Sequence, residues 1–506
     1  MRERSCLSSS RRPRGAGRVI AVLVAAAMIP TAVHAKTDLL PMLRQASERV
    51  AADDCPGALA LFDKAVRDPA FPALDASVRF STAQLGARCA DALSDADAIR
   101  RYALLGSPLD TKAGFLWRLR FWSDLQRNDP IGAVATLEGM ATTNPAALDA
   151  IPIGSIDHVH DLVRDTDKPD LMERLLVILT APTYQPEDPL GSKAYYLSQR
   201  AERLAEAGDQ KAAGAMLKLI DKSDLLMEAA VHPRLRGLLA NDLDFRATRE
   251  RELERSREIA ASHMHSLGAV VAIARHLRAL GRFEEAIATL EAFAPERAPA
   301  DSYADRAEQL PRFWDEMARN LRLAGRPEQA VAALSRGAEL PEDDGPNASQ
   351  RINLIFLHVR YSQPTAALSA ASALERDEKG LSAYGAMELR AGRGCARALS
   401  GDTVGLAEDV DYARAHEKDH VVGRLHLLAC VGDLDAAAAA LVIALGDPVD
   451  RVPALLLLSD YDGMPASVPL LPLEKALPAL KQRPDVRAAI QHAGGTRRFP
   501  LQADEL

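Results

Sequence analysis

Aromatic residues are scarce in this chain: Phe, Trp and Tyr make up 5% of its 506 residues, while hydrophobic residues as a whole reach 48%. Runs of β-branched residues are also few, and Ala and Leu carry most of the apolar content. Sheets draw on β-branched and aromatic side chains, so this balance favours helices. Beyond residue 35 no apolar stretch approaches the length that crosses a bilayer, so no integral span is expected in the mature chain. Common catalytic signatures are missing too: there is no Gly-rich phosphate cradle, no Ser at a nucleophile elbow and no metalloprotease His pair on one helix face. The expectation is a protein with no catalytic residue, no cofactor and no metal site.

Residues 1–35 combine an Arg-rich start (Arg2, Arg4, Arg11, Arg12, Arg14, Arg18), the apolar run Val19–Val33 and a small-residue exit at Val33-His34-Ala35. These are the parts of a cleaved secretory signal, and the apolar run is too short to favour an uncleaved anchor. The expected location is periplasmic or secreted. The net charge of −8 becomes −13 once this segment, which carries six Arg and one Glu, is removed. Such a surface keeps a long chain soluble and argues against nucleic acid as a partner.

What the chain has in abundance is one recurring turn: a Gly or Asp, an Ala five residues on and an aliphatic or aromatic residue nine on. It occurs as Asp53/Ala58/Phe62, Gly208/Ala213/Leu217, Gly281/Ala286/Leu290, Gly325/Ala330/Leu334 and Gly432/Ala437/Leu441. Seven residues before the turn stand Ala46, Ala201, Ala274 and Ala318, which pair with the later Ala to let two helices approach closely. Weaker units appear at Gly86 with Ala98 and Tyr102, at Ala133 with Leu137 and around Gly394, Gly401 and Val410. Self-similarity at this period predicts a stack of roughly ten helical hairpins.

In such a stack each repeat touches only its neighbours. Of the three connectivities open to Cys55, Cys89, Cys395 and Cys430, that leaves Cys55–Cys89 and Cys395–Cys430. An oxidising compartment would make these disulfides; the alternative is four buried thiols packing as small hydrophobes.

The stretches VVAIARHLRALGRFEEAIATLEAF (270–293) and WDEMARNLRLAGRPEQAVAAL (314–334) resemble the tetratricopeptide-repeat family, with Trp314 at the position where that family's first helix begins with Trp. The resemblance implies an all-α, right-handed superhelix with a concave groove that binds peptides or proteins. By that family's geometry, residues six and three before the turn Gly project into the groove. These are Arg275 and Arg278, then Arg319 and Arg322, with Arg312 nearby. An Arg ladder of this kind suits a carboxylate ligand.

The expected organisation is a signal peptide (1–35), a helical solenoid (36–240), a charged connecting helix (241–262), a second solenoid (263–447) and a C-terminal helical cap (448–506). The connector FRATRERELERSREIA is charged nearly all round, and Pro453, Pro465, Pro469 and Pro472 mark the start of the cap. His158-Val159-His160 and His263-Met264-His265 place imidazoles two apart, on different helix faces, which is poor spacing for a shared metal. Asp53-Asp54 and Glu342-Asp343-Asp344 read as solvated turns, and Asn347-Ala348-Ser349 as a loop matching a glycosylation acceptor.

The resulting functional expectation is an exported, non-enzymatic scaffold that binds a protein or peptide in the cell envelope. Two alternatives stand beside it. One is the helical superstructure of a peptidoglycan-active enzyme resembling lytic transglycosylases, for which the region after residue 448 offers Glu474 and Glu505 without a matching motif; the other is a module for exopolysaccharide or outer-membrane assembly.

Overall fold

A helix that must reverse within two residues needs one residue in the left-handed region and one that caps the next helix. Among the described residues the left-handed position recurs at ten such turns, and six of them also carry the cap. Asp53, Ser94, Asn128, Asp167, Gly208, Gly281, Gly325, Ser362, Gly401 and Gly432 all have positive φ, between 48° and 86°. Each lies between two helices of the computed structural model, which describes residues 36–186, 191–262, 266–293, 302–341, 347–377 and 381–503, together with 295 and 299. The expected signal segment lies outside these residues.

The hydrogen bonds show why the turn is stable. In the turn after Leu267–Ala279, Gly281 N–H donates to Arg278 O (2.9 Å) and Arg282 N–H to Leu277 O (2.8 Å), which satisfies carbonyls left open by the helix end. The following residue is often Asp. Asp54, Asp95, Asp129 and Asp209 each accept from a first-turn N–H of the next helix at 2.9 Å, and Asp402 and Asp433 do so at 3.0 Å. Gly is the easiest choice for the first position, but Asp, Asn and Ser also occupy it here, which leaves the turns at Ser94, Asn128 and Ser362 without the expected Gly or Asp.

The chain divides into two compact units, 1–127 and 128–506. In the first unit, the hairpins Lys36–Ala51/Cys55–Val66 and Ala76–Ala92/Ala96–Gly106 are followed by the helix Phe115–Gln126. Ala46, Ala58, Phe62 and Ala83 are buried between them, and a Cβ at Gly86 would meet the Tyr102 ring at 2.6 Å, so only glycine lets that ring lie there. Cys55 and Cys89 are joined, with Cα atoms 4.9 Å apart.

The second unit stacks seven further hairpins, from Ile153–Arg164/Pro169–Leu179 to Val421–Cys430/Leu434–Gly446. Ala201, Ala213, Ala274, Ala286, Ala318 and Ala330 are all buried at the expected crossings. Cys395 and Cys430 bridge neighbouring hairpins, with Cα atoms 5.1 Å apart. The architecture is the tetratricopeptide-like helical solenoid, with 26 α-helices among the described residues.

Two expectations change. The helix Phe245–Ser262 does not connect two halves; it packs inside the second unit against Leu267–Ala279. Its buried stripe, Phe245, Thr248, Arg249, Glu252, Leu253 and Ser256, keeps helical spacing but is largely polar. Burial is tolerated because Arg249 pairs with Asp224, and Glu252 accepts from Ser223 N–H at 3.1 Å.

The C-terminal segment does more than cover the last hairpin. Pro472–Gln482 and Pro484–Ala493 pack on that hairpin, while Arg451–Leu457 reaches back to Ser223–Val231. A short strand, Asp460–Asp462, pairs in parallel with Arg498–Gln502, so the fold is not purely helical. The second strand lies against Phe245–Ser262, where buried Phe499 meets Phe245 edge-on at 5.0 Å. Arg246 donates to Pro500 O (3.4 Å) and Arg497 to Ala230 O (3.2 Å), so early and late elements of the unit are tied together.

Candidate functional site

Closing the second unit in this way leaves a cavity of about 560 Å³. Its walls are single stripes of successive helices. Arg306–Leu323 supplies Asp315, Ala318, Arg319 and Arg322; Ala348–Arg360 supplies Asn353, Phe356, Leu357 and Arg360. Both sets follow the three-or-four-residue spacing of one helix face. Ala383–Ser400 adds Tyr384 and Glu388, Val421–Cys430 adds Val422 and His426, and Ser223–Val231 adds Asp224, Met227 and Glu228.

Most charges on these walls are matched. Asp315 accepts from Arg319 Nε (2.7 Å) and Asn353 Nδ2 (3.0 Å). Arg360 forks onto Glu474 at 2.6 and 2.7 Å and donates to Pro469 O at 2.9 Å. His420 Nε2 lies 2.8 Å from Glu388 Oε1, with the Tyr384 ring 4.2 Å from the imidazole. Burial raises the Tyr384 hydroxyl's pKa, and Glu388 adds to the rise. His426 is 4% exposed and tilted against Phe356, and its Nδ1 has no hydrogen-bond partner. Burial lowers its pKa and keeps the ring neutral, despite Glu388 and Glu474 nearby.

Glu228 differs from the others. Although its side chain is partly open to solvent, crowding by neighbouring atoms strips water from its carboxyl, and that desolvation, then Asp224 and Glu202, push it up to about 6. Because the folded state holds this proton up to that pH while the unfolded chain releases it near 4.5, stability falls as pH rises from 4.5 to 6 and the loss persists above. Glu228→Gln is therefore expected to match the parent in urea midpoint at pH 4 and exceed it at pH 7. Equal midpoints at both values would contradict this.

The structure does not gather the five arginines expected in a groove. Arg278, 2% exposed, is ion-paired with Glu316 at 2.7 Å and faces no ligand space. Arg319 and Arg322 line the cavity, Arg322 at 3% exposure with Nη1 3.8 Å from Met464 Sδ of the returning C-terminal segment. Arg275 is exposed away from the cavity lining, and Arg312 is exposed and pairs with Glu308 at 3.3 Å. The six-before-the-turn rule works better on two turns to which it was not applied: from Ser362 it reaches Phe356, and from Gly432 it reaches His426. Asp224, Glu228, Glu388 and Tyr384 obey no such rule, since the cavity exists only once the C-terminal segment folds back.

Other candidates have structural roles. Asp54 caps a helix. His158 is exposed while buried His160 hydrogen-bonds Gln199 at 2.7 Å, and no cluster of metal-ligating side chains occurs among the described residues. Asn347 is fully buried as a helix cap, accepting from Gln350 N–H and donating to Gly337 O, which closes it to glycosylation. His263, His265, Glu342, Asp343, Asp344 and Glu505 lie outside the described residues.

Among solved structures the chain is similar to the APC/C hetero-tetramer Cut9–Hcn1, with 14% identity over 90% of each chain and a TM-score of 0.29. It is also similar to yeast Tom70 (12% identity, 90% of this chain and 95% of that one, TM-score 0.26) and to the TPR domain of P58(IPK) (16%, 73% and 99%, TM-score 0.20). No family model and no curated protein matches it. The architecture thus rests on the ten turns and their buried Ala crossings.

Proposed function

We propose that this chain is an exported, non-enzymatic scaffold of a bacterial cell envelope, and that its second unit holds a polypeptide segment of a partner in the cavity. The observation that carries the reading is the cavity itself, about 560 Å³ and walled by one stripe from each of several helices. That volume falls in the range, roughly 300–1,000 Å³, of sites that enclose ligands. Rigid hairpins present the walls preformed, so little ordering is lost on binding. Export is supported by the signal-like residues 1–35 and by two cysteine pairs at disulfide geometry.

The peptidoglycan-enzyme alternative gains nothing from Glu474. Both its oxygens accept from Arg360, and one also accepts from Leu471 N–H at 2.6 Å, so it is a structural anchor.

Val422 lies half-buried on the cavity wall, and Val422→Trp would fill that space while leaving every ion pair intact. Crosslinking of the mature protein in its native envelope is expected to recover a partner with the parent and to lose it with Val422→Trp at an unchanged urea midpoint. Equal recovery with both proteins would overturn the cavity as the binding site.

A further inference from the structure

We propose that Glu228 makes this cavity a receptor for a cationic group of the bound polypeptide, a Lys or Arg side chain or a free amino terminus; the inference rests on the reading that the cavity holds a polypeptide.

Four carboxylates on or beside the wall have a basic partner. Asp224 pairs with Arg249, Asp315 with Arg319, Glu388 with His420, and Arg360 with Glu474. The Glu228 carboxyl has no ion pair and no hydrogen bond among the described residues, and its side chain is accessible. The charged groups closest to it in effect are Asp224 and Glu202, both carboxylates, and Glu202 is itself engaged with His232 at 3.2 Å. A carboxylate beside other carboxylates and without a counter-ion of its own favours a cation.

An anionic ligand would fare worse. At Arg319 or Arg360 it would have to displace Asp315 or Glu474, and anywhere in the cavity it would meet the unmatched charge of Glu228. This reverses the carboxylate specificity expected from an Arg ladder.

A second, independent observation marks the cavity as built for a ligand. His426 is a polar side chain 96% removed from solvent, on the cavity wall, with an unused nitrogen. A buried imidazole without a partner is costly, and a ring shift toward a ligand amide would supply one. Tyr384 and Phe356 line the same space, and ring faces attract a cation electrostatically.

The test uses the mature chain and three labelled heptapeptides of Ser and Ala, acetylated and amidated at their ends, with Lys, Gln or Glu at the centre. Fluorescence polarisation is expected to rank them Lys, then Gln, then Glu. Glu228→Gln should weaken the Lys peptide about tenfold, to the level of the Gln peptide, as expected on losing a charge-assisted contact. Peptides that bind equally, or a Lys peptide unaffected by Glu228→Gln, would overturn the charge preference while Val422→Trp still abolishes binding. If no peptide binds, or if Val422→Trp leaves binding unchanged, the cavity reading falls and this inference falls with it.

Discussion

Glu474→Gln is expected to destabilise the second unit by about 3–5 kcal/mol, the usual cost of leaving one partner of a buried ion pair uncompensated. Arg360 and Glu474 are each only 5% exposed at the side chain, and the pair is bidentate. Glutamine keeps the shape but removes the charge, so the Arg360 guanidinium stays buried without its counter-ion. The position of the pair adds to the effect. Arg360 ends the helix Ala348–Arg360, whereas Glu474 belongs to the returning C-terminal segment and also caps the start of Pro472–Gln482. Replacing both, as Arg360→Met with Glu474→Leu, should cost less than either charged-to-neutral single change, because no buried charge remains. Urea midpoints of the parent, both singles and the double would show this. A loss below about 1 kcal/mol in Glu474→Gln would indicate a solvated surface pair instead.

The hairpins and their crossings were legible because they depend on local chemistry. A left-handed residue and small residues at fixed offsets appear in sequence as Gly281, Ala274 and Ala286. The turns at Ser94 and Asn128 registered only as weaker units through Ala98 and Ala133; Ser362 was missed because Ser tolerates the same backbone conformation at some cost, and Asp167 because Met172 stands where the pattern has Ala. The helix Phe245–Ser262 was misread for a different reason. Its buried positions are polar and become legible only once the partners Asp224 and Ser223 are known.

The cavity was the least legible part. Its walls join residues from Asp224 to Ala503, and the C-terminal segment that closes it is set by contacts such as Arg246 with Pro500, 254 residues apart. No periodicity carries that information. The Arg positions six and three before the turn were found correctly as a pattern, but Glu316 captures Arg278, and the returning segment reaches Arg322.

Removing either cysteine pair is expected to lower stability by about 4 kcal/mol. The bridges close loops with sequence separations of 34 and 35, and cross-linking a loop of that size removes unfolded-chain entropy worth about that much. Each joins neighbouring hairpins: Cys55 opens one helix and Cys89 lies on the next, whereas Cys395 and Cys430 lie on the first helices of two successive hairpins, Ala383–Ser400 and Val421–Cys430. Cys89 and Cys395 are buried in the hydrophobic core, so the same residues as free thiols would also pack well. The two states are separated by measurement. Denatured but unreduced mature protein is expected to show no reactive thiol, and the Cys55→Ala/Cys89→Ala and Cys395→Ala/Cys430→Ala variants should each shift the urea midpoint by the full amount. Four reactive thiols, with double variants that lose less than about 1 kcal/mol, would mean the sulfurs serve only as core atoms. They would also remove one of the two supports for an oxidising compartment, leaving export to rest on residues 1–35 alone.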